Sequence, residues 1–280
     1  MKIAVVGGTG QLGSEIVDLG PRAGYHTWGF GHEMCEVTTV EGVAEVARYA
    51  PDVIVNCAAY HDMTACEEHP VQAWAVNEAL PLVYLARRMN CGYVYISTDF
   101  VFDGREGAYA EDAGARPLSV YGATKLAGEL AALTLVEQSA VCRVSYLFGK
   151  TGCRAKGGSN FVEFLVGAVR DGRHLDLDAD TTFSPTYAPH AAARVLDVAV
   201  ALAEGSNAGV FHCTNEGVAS HYGLGLAVAA LLGMEADFAP RNGALDPLRP
   251  KCSDLANTRM KAAPSWADGL AEYLEAKGYV

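Results

Sequence analysis

Short apolar runs alternate along the chain with longer stretches in which apolar residues recur every three or four positions. The short runs predict buried strands, and the longer stretches predict helices with one apolar face. In the first half of the chain, the predicted strands are 3–6, 25–30, 53–57, 93–97 and 141–146. The predicted helices are 11–19, 40–49, 71–89 and 121–137, with a kink at Pro81. This alternation predicts an α/β fold built on a doubly wound parallel sheet of the Rossmann type.

The second half of the chain is less regular. Its predicted helices are 160–170, 189–203, 221–232 and 266–277, and its predicted short strands are 174–177 and 210–213. Residues 240–261 are rich in Pro, Arg and Asn, which predicts a long loop or an extended segment. We expect residues 1–146, completed by about 187–213, to form a dinucleotide-binding domain. We expect residues 147–186 and 214–280 to form a smaller C-terminal substrate-binding lobe.

Composition narrows the class of protein. Half of the 280 residues are hydrophobic, which is enough for a sizeable core. No apolar run approaches the roughly 18 residues that a membrane-spanning helix needs, and the first residues enter a strand without a signal-peptide pattern. We therefore expect a cytoplasmic protein with no membrane partner. The formal net charge of −12 argues against nucleic acid as a partner, but local cations can still hold a phosphorylated substrate.

The eight cysteines are scattered and show no C-x-x-C spacing. Several lie in apolar runs, as Cys57 does after Val53–Asn56. This distribution predicts reduced, buried thiols in a cytosolic protein, with neither a zinc site nor a disulfide framework.

A glycine-rich turn follows the first predicted strand and opens the first predicted helix. Such glycines permit a tight turn and bring backbone N–H groups and the helix N-terminus against a pyrophosphate. The alternative is an ordinary strand–helix turn, but the βαβ context favours a dinucleotide. The candidate cofactor-binding residues of this turn are Gly7, Thr9, Gly10, Gln11, Leu12 and Gly13.

The end of the second predicted strand usually discriminates NAD from NADP. An acidic residue there accepts from the 2′-hydroxyl of NAD, and a basic residue accommodates the 2′-phosphate of NADP. This chain has Trp28-Gly29-Phe30-Gly31-His32, with neither Asp nor Arg. His32 is a candidate phosphate contact or a solvated loop histidine, so the cofactor preference, NADPH or NADH, stays open.

Tyr121 and Lys125 lie four residues apart at the start of a predicted helix, which places their side chains on one face. A phenol has an ordinary pKa of about 10, and a neighbouring ammonium lowers that value toward the range useful in acid–base catalysis. By itself this spacing often marks only a solvated helix face. Here the preceding strand ends in Ser97-Thr98-Asp99, which would bring a hydroxyl to the same pocket.

Several longer motifs carry a resemblance. The chain has GGTGQLG at 7–13, VNCAAY at 55–60, STDFVFDG at 97–104, PLSVYGATKLAGE at 117–129 and RVS at 143–145. Shorter matches occur at 160–161, 184–186 and 249–250. With these motifs the chain resembles the dTDP-4-dehydrorhamnose reductase family, in the extended short-chain dehydrogenase/reductase superfamily.

The resemblance implies a role for each catalytic candidate. Tyr121 would protonate the C4 oxygen of a sugar ketone while a hydride arrives from the nicotinamide. Lys125 would lower the pKa of Tyr121 and hold the nicotinamide ribose, and Thr98 would donate a hydrogen bond to the ketone.

The resemblance also implies further cofactor and substrate contacts. The cofactor contacts are Ala58, Ala59, Tyr60 and Ile96, and the substrate contacts are Asp99, Tyr146 and Arg249 in addition to Thr98 and Tyr121. Tyr146 stands where the family commonly has Trp. Each also has a simpler interpretation: strand packing for Ala58 and Ala59, a loop cap for Asp99, and a solvated side chain for Arg249.

The residue after Asp99 helps to select the reaction. Sugar-nucleotide dehydratases of this superfamily place Asp-Glu after the Thr, as the acid and base for elimination of water. In this chain Phe100 follows Asp99, so the second carboxylate is missing and ketone reduction is favoured.

Some members of the family bind Mg²⁺ at a dimer contact through a Glu matching Glu15 and acidic residues near 189–190. Here Pro189 and His190 occupy those positions, and an oxygen-rich site would lack ligands. We expect no metal, and a homodimer stays open.

The leading hypothesis is therefore an enzyme that reduces dTDP-4-dehydrorhamnose to dTDP-L-rhamnose with NADPH or NADH. A reductase of a related nucleotide-activated 4-keto sugar in antibiotic or glycan biosynthesis is the first alternative. A regulatory subunit that binds NADP without catalysis is the second, although a regulator has no need of Tyr121, Lys125 and Thr98 together.

Overall fold

A computed structural model describes residues 1–152, 157–206, 208–243 and 246–280. In these ranges the strands are β1 (Lys2–Val6), β2 (His26–Phe30), β3 (Val53–Asn56), β4 (Gly92–Thr98), β5 (Ser139–Val144), β6 (Leu147–Phe148), β7 (Leu175–Asp178), β8 (Thr182–Phe183), β9 (Thr186–Tyr187), β10 (Gly209–His212), β11 (Ala219–Ser220) and β12 (Phe238–Arg241).

The helices in the same ranges are α1 (Gln11–Arg22), α2 (Ala44–Tyr49), α3 (Met63–Glu68), α4 (Pro70–Glu78), α5 (Leu80–Met89), α6 (Val120–Leu135), α7 (Phe161–Arg170), α8 (Ala188–Ala203), α9 (His221–Leu232) and α10 (Trp266–Ala276). A short 3-10 helix (Asp99–Val101) follows β4 directly.

Six strands form one sheet in the order β10-β5-β4-β3-β1-β2, and every neighbouring pair is parallel. Chain order reverses between β1 and β3, which is the switch point of a doubly wound fold. The predicted Rossmann sheet is therefore confirmed. Because the strands are parallel, their carboxyl ends lie at one edge, where ligands bind in such folds.

Helices cover both faces of the sheet, because apolar side chains project from both sides of its strands. On one face, alternate residues such as Ile3 and Val53 pack against α1 and α8. On the other face, residues such as Ala4 and Ile54 pack against α2, α5 and α6. The apolar side chains on both faces of the strands thus account for the near-continuous hydrophobic runs in the sequence.

A second cluster of buried side chains lies in the C-terminal half, outside the six-stranded sheet. It joins α7, α9 and α10 to the small strands β7 and β8. β12 pairs with β7 in parallel, and β11 pairs with β8 antiparallel. The division into a dinucleotide-binding domain and a substrate-binding lobe at the predicted boundaries stays a proposal.

The prediction of a single helix at 71–89 is wrong, because Ala79, whose φ is +48°, separates α4 from α5. Pro81 lacks the N–H that a continuous helix would direct to the carbonyl of Asn77. That carbonyl instead accepts a 2.6 Å hydrogen bond from the hydroxyl of Tyr95. The proline therefore breaks the helix, and the freed carbonyl holds the sheet.

The helix expected at 40–49 is shorter than predicted, since only Ala44–Tyr49 is helical. The short helix α3 was not predicted. Its signal was present, because Asp62 caps it by accepting from the N–H of Ala65 at 2.8 Å.

Of the segment expected at 240–261, residues 240–243 and 246–261 are described and 244–245 lie outside the described residues. Residues 240–241 end β12, and 246–261 form the expected extended segment. The segment runs between β8 and the loop after β4. Its backbone exchanges hydrogen bonds with Thr182 (2.8 and 2.9 Å), with Gly104 (3.0 Å) and with Tyr109 (2.8 and 3.0 Å). These bonds bring C-terminal residues close to the carboxyl end of β4.

No helix within the described ranges is long and apolar enough to cross a membrane. Seven of the eight cysteines lie in those ranges, and all seven are unpaired thiols. Cys153 lies outside the described residues.

Gly128 lets α6 approach β4, because a Cβ at this position would overlap the Tyr95 hydroxyl and lie 2.6 Å from the Asn77 carbonyl oxygen. We expect Gly128→Ala to destabilise the protein by about 1–3 kcal/mol through overpacking. Urea unfolding followed by circular dichroism measures the change. Gly223→Ala is the control, since its Cβ would meet only the Ser220 hydroxyl at 3.5 Å. Equal stability of both variants would contradict the packing argument.

Candidate active site

The glycine-rich turn lies at the carboxyl end of β1 and leads into α1. The N–H of Gly7 donates to the carbonyl of Phe30 at 2.9 Å, and the N–H of Gly10 donates to the carbonyl of Gly7 at 2.9 Å. Gly7 has a φ of +75°, and a Cβ on Gly13 would overlap the carbonyl of Gly7. The glycines are therefore required by the tightness of the turn.

The N-terminus of α1 has the features of an anion site. Its N-cap, Gly10, has no side chain to accept from the first helical N–H groups, and no acidic residue lies in the first turn. The Nε2 atom of Gln11 is buried without a hydrogen-bond partner among the described residues. Uncapped N–H groups and a buried donor fit the pyrophosphate of a dinucleotide. Leu12 packs its side chain into the core, so only its backbone can face such a ligand.

The segment after β3 lies against this turn. A Cβ on Gly7 would lie 2.8 Å from the backbone N of Ala58, so turn and segment are in close contact. The side chain of Asn77 holds the segment by accepting from the N–H of Tyr60 at 2.8 Å and donating to its carbonyl at 2.9 Å. Asn77 also donates to the hydroxyl of Thr124 at 2.8 Å. One buried amide thus joins the segment 58–60 to α6.

Lys125 is buried beneath the carboxyl end of β4. Its Nζ donates to the carbonyl of Ile96 at 2.5 Å and lies 4.2 Å from the centroid of the Tyr95 ring. Burial lowers the pKa of Lys125 to about 7, while the carboxylate of Glu129 acts in the opposite direction. A cation whose pKa lies this close to neutrality at a sheet edge is a candidate functional group.

Tyr121 and Thr98 are brought to the same edge by close packing of α6 on the 3-10 helix. Gly122 makes this approach possible, because a Cβ there would overlap the carbonyl of Phe100. The rings of Tyr121 and Phe100 meet edge to face, with centroids 5.8 Å apart. The hydroxyl of Ser119 caps α6 by accepting from the N–H of Gly122 at 3.2 Å. The structure therefore brings Tyr121, Lys125 and Thr98 to one end of the sheet.

Asp99 is buried directly behind Thr98. Its carboxylate accepts hydrogen bonds from the hydroxyls of Thr98 (3.1 Å), Ser145 (3.0 Å) and Ser253 (2.5 Å). Burial raises the pKa of Asp99 to about 6, although the three hydroxyls and a backbone N–H oppose this shift. Asp99 therefore has a larger structural role than the loop cap that was its simpler interpretation.

A buried ion pair lies next to this group of hydroxyls. The guanidinium of Arg143 donates to both oxygens of Glu129, at 2.7 and 2.9 Å, and its Cζ lies 5.0 Å from the centroid of the Phe102 ring. The hydroxyl of Ser97 donates to the same carboxylate at 2.5 Å. The remaining guanidinium nitrogen, Nη1, donates to the carbonyl of Glu111 at 3.4 Å, so every charged atom of the buried pair has a partner.

Tyr146 follows β5 with a φ of +43°, an uncommon conformation for a non-glycine residue. Its ring stacks on Phe183 at 3.8 Å between centroids and meets Phe161 and His221 edge to face. Burial raises the pKa of Tyr146, and the nearby charge of Arg249 opposes the shift. Tyr146 and Arg249 therefore lie in the same region of the C-terminal half. Arg249 is exposed, and its Nε lies 3.8 Å from Oδ2 of Asp246.

His32 lies at the end of β2, with 78% of its side chain exposed and Nδ1 3.7 Å from the carboxylate of Glu36. Thr9 is also exposed, and its side chain would lie 3.2 Å from a Cβ on Gly31. Thr9 belongs to the glycine-rich turn and His32 lies beside it, which is a position suited to a 2′-phosphate. The position of His32 does not by itself select a cofactor.

Glu15 has no acidic partner at 189–190 with which to bind a metal ion. His190 pairs with Glu272 at 3.0 Å, and burial raises the pKa of Glu15, with further raising by Asp18. In the described ranges, no group of three His, Cys, Asp or Glu side chains is placed to hold a metal ion. The expectation of no metal stays a prediction.

Three polar residues of the site were not predicted from their own signals. Ser145 lies in the RVS motif at 143–145, but neither Asn77 nor Ser253 was predicted to be near the site. A serine directly after a strand, as at Ser145, is a usable signal because strand ends meet at one edge. Ser253 has no such signal, since long-range hydrogen bonds of an irregular segment place it.

Comparison with known proteins agrees with this geometry. A family model described as the RmlD substrate binding domain matches residues 1–278. A dTDP-4-dehydrorhamnose reductase of Streptomyces griseus is 34% identical over 92% of this chain and 86% of its own. The spore coat polysaccharide biosynthesis protein SpsK of Bacillus subtilis is 30% identical over 98% of this chain and 97% of its own.

A crystal structure of dTDP-4-dehydrorhamnose reductase from Bacillus anthracis in complex with NADP has the same fold. Its TM-score is 0.89 at 26% sequence identity, and the match covers 98% of this chain and 99% of that chain.

The buried pair of Glu129 and Arg143 supports a stability prediction. Glu129→Gln should destabilise the protein by about 3–5 kcal/mol, because it leaves the Arg143 charge buried without a counterion. Adding Arg143→Met should recover most of that loss, since no charge then remains. Urea unfolding measures both variants.

Asp171→Asn is the matched control, because the pair of Asp171 with Arg173 is exposed and worth less than about 1 kcal/mol. A single variant as stable as the control, or a double variant less stable than the single one, would contradict the account of the pair.

Proposed function

Because this chain belongs to the dTDP-4-dehydrorhamnose reductase family, we propose that it reduces the C4 ketone of a nucleotide-activated 6-deoxy-4-keto sugar with NADPH or NADH. The chain is accordingly an oxidoreductase of that family. The observation that carries the proposal is the meeting of Tyr121, Lys125 and Thr98 at the carboxyl edge of the sheet, beside a glycine-rich turn suited to a dinucleotide.

In the proposed reaction, Tyr121 gives its phenolic proton to the C4 oxygen as that oxygen gains negative charge. The reduced nicotinamide, when bound, supplies the hydride that adds to the C4 carbon. Hydride and proton together convert the ketone into an alcohol. Thr98 holds the C4 oxygen by donating a hydrogen bond, a contribution that grows as charge develops on that oxygen.

Lys125 has two tasks in this proposal. Its ammonium stabilises the phenolate that Tyr121 becomes after giving up its proton. It would also donate to the ribose next to the nicotinamide, since its hydrogen bond to the carbonyl of Ile96 already holds the ammonium at this edge of the sheet. The backbone of 7–13, the segment 58–60 and Ile96 would bind the rest of the dinucleotide, with His32 at its adenosine end.

The substrate we favour is dTDP-4-dehydrorhamnose, with dTDP-L-rhamnose as product. The name of the Streptomyces griseus relative supports this choice. Tyr146, in its strained conformation, would contact the sugar, and Arg249 would contact the diphosphate. An Arg guanidinium suits two-point binding of phosphate.

A related 4-keto sugar in a glycan or antibiotic pathway is the alternative substrate. Two observations favour keeping it. The first is the name of the SpsK relative, a polysaccharide biosynthesis protein. The second is Tyr146 itself, whose ring lies among Phe161, Phe183 and His221 where the family commonly has Trp. A non-catalytic NADP-binding role is disfavoured by the assembled site.

The crystal structure of the Bacillus anthracis relative in complex with NADP supports NADP as a cofactor of this chain. We propose that NADH also serves, because neither Asp nor Arg stands at the end of β2. A cytoplasmic location and the boundary between domain and lobe stay predictions, and a homodimer stays open.

The test of the proposal is turnover. The protein is incubated with NADPH or NADH and a panel of dTDP-, GDP- and UDP-4-keto sugars while nicotinamide absorbance is followed. We expect consumption of either cofactor with a dTDP-4-keto-6-deoxy sugar. Cofactor binding without consumption on any sugar would favour the regulatory alternative.

Tyr121→Phe removes one oxygen and leaves the helix and its packing on Phe100 intact. We expect kcat to fall by about 10²–10⁴-fold, the range of general acid catalysis, while cofactor affinity changes little. Steady-state kinetics and a fluorescence titration with NADPH measure the two quantities. Tyr84→Phe is the control, since Tyr84 is exposed on α5. Unchanged kcat in Tyr121→Phe would remove Tyr121 from the reaction.

Arg249→Ala should raise the KM of the sugar nucleotide far more than that of the cofactor, because the loss affects only the proposed diphosphate contact. We expect a change of about tenfold or more, corresponding to one charged hydrogen bond. Arg241→Ala provides the control, as another exposed Arg of the C-terminal half. An unchanged sugar KM would assign Arg249 to the solvated surface.

A further inference from the structure

The Thr98 hydroxyl has a single proton, and in the structure that proton is directed at Asp99. Thr98 Oγ1 donates to Asp99 Oδ1 at 3.1 Å and accepts from the N–H of Phe100 at 3.3 Å. A hydroxyl in this arrangement has no proton left for a ketone. To donate to the substrate, Thr98 must release Asp99, and an ionised carboxylate resists that release because it loses a donor in a buried place.

The other oxygen of Asp99 keeps its donors when the carboxyl group is neutral. Ser253 and Ser145 donate to Asp99 Oδ2 at 2.5 and 3.0 Å. If Asp99 holds a proton on Oδ1, that proton can be donated to Thr98 Oγ1 while both serines continue to donate to Oδ2. The neutral acid therefore keeps its hydrogen bonds, which agrees with the direction in which burial moves the pKa of Asp99.

Charged and titratable groups on the elements packed around Asp99 have other partners. On the C-terminal segment, Asp254 accepts from the N–H of Ala108 and from Thr182 Oγ1. Arg143 on β5 pairs with Glu129, and Lys125 on α6 donates to Ile96. Tyr121 on α6 and Tyr146 after β5 are the titratable phenols on these elements. Hydroxyl groups thus provide the side-chain hydrogen bonds to the Asp99 carboxylate within the described residues.

Resting on the proposed ketone reduction, we propose that Asp99 is a positioning residue whose protonation turns the Thr98 hydroxyl from Asp99 toward the substrate ketone. With Asp99 neutral, its O–H can donate to Thr98 Oγ1 while Thr98 donates to the C4 oxygen. With Asp99 ionised, Thr98 stays directed at the carboxylate. Asp99 transfers no proton to the product, since the proton added to the C4 oxygen comes from Tyr121.

The first experiment needs no substrate. Protein labelled with ¹³C at the Asp carboxyl carbon is titrated by NMR, and the Asp99 resonance is assigned by its absence in Asp99→Asn. We expect Asp99 to titrate near pH 6. Thr98→Val and Ser253→Ala each remove one hydrogen bond to the ionised form and should raise the midpoint by about one pH unit.

Ser139→Ala is the matched control, because Ser139 is a buried serine that donates to Val136 at the opposite end of β5. It should leave the midpoint of Asp99 unchanged. A midpoint that does not move in Thr98→Val would overturn the proposal, because Thr98 would then not be held by the carboxylate.

The second experiment follows kcat/KM for sugar reduction between pH 5 and 9. In the wild type we expect a fall as pH rises through the Asp99 midpoint, by about tenfold per pH unit until the residual activity of the ionised form is reached. Asp99→Asn should lose this transition and keep the one at higher pH that belongs to Lys125. Ser253→Ala should move the transition upward, in step with its NMR midpoint.

An Asp99→Asn profile that superimposes on the wild-type profile would contradict the proposal. Absence of turnover by the wild type on every sugar would instead contradict the proposed function, and the Thr98→Val titration would still decide whether Asp99 holds the hydroxyl.

Discussion

The Lys125 ammonium is buried at the carboxyl edge of the sheet, and its burial constrains the parts around it. A buried ammonium needs hydrogen-bond acceptors and negative charge in fixed places, and here they are the carbonyl of Ile96, the face of the Tyr95 ring and the carboxylate of Glu129. Tyr95 is held in turn by the carbonyl that Pro81 frees in the broken helix. The glycine at 128 lets α6 approach closely enough for these contacts, so the helix break, the glycine and the lysine form one arrangement.

The same edge receives polar groups from distant parts of the chain, which explains why the C-terminal segment matters to a site on the Rossmann sheet. Backbone hydrogen bonds from this segment to Thr182 and Gly104 bring Ser253 to Asp99. Ser145, at the end of β5, reaches the same carboxylate. An acidic protein with a net charge of −12 can in this way hold an anionic substrate and cofactor, because helix N-termini and a few local cations decide binding at the site.

Much of this architecture could be predicted because its signals are local. The apolar runs of 3–6 and 53–57 are buried on both faces, and the spacing of Tyr121 and Lys125 follows from helical geometry. The interruption at Ala79 was harder to predict. Pro81 indicates that the helix is disturbed, but it does not tell whether the helix bends or ends. That outcome depends on a tertiary contact, the hydrogen bond that the carbonyl of Asn77 accepts from Tyr95. The partners of Asp99 and the conformation of Tyr146 depend on tertiary contacts between residues far apart in sequence. No local pattern contains that information.

The central claim is that a reduced nicotinamide bound at this edge of the sheet gives its hydride to C4 of a sugar ketone. It is tested most directly with NADPH carrying deuterium at C4 of the nicotinamide ring, using each face-specific isotopomer in turn with a dTDP-4-keto-6-deoxy sugar. Mass spectrometry and NMR of the product locate the label. We expect one isotopomer to place a single deuterium on C4 of the sugar and the other to place none. Deuterium at another carbon, or oxidation of the cofactor without label in the sugar, would contradict the account.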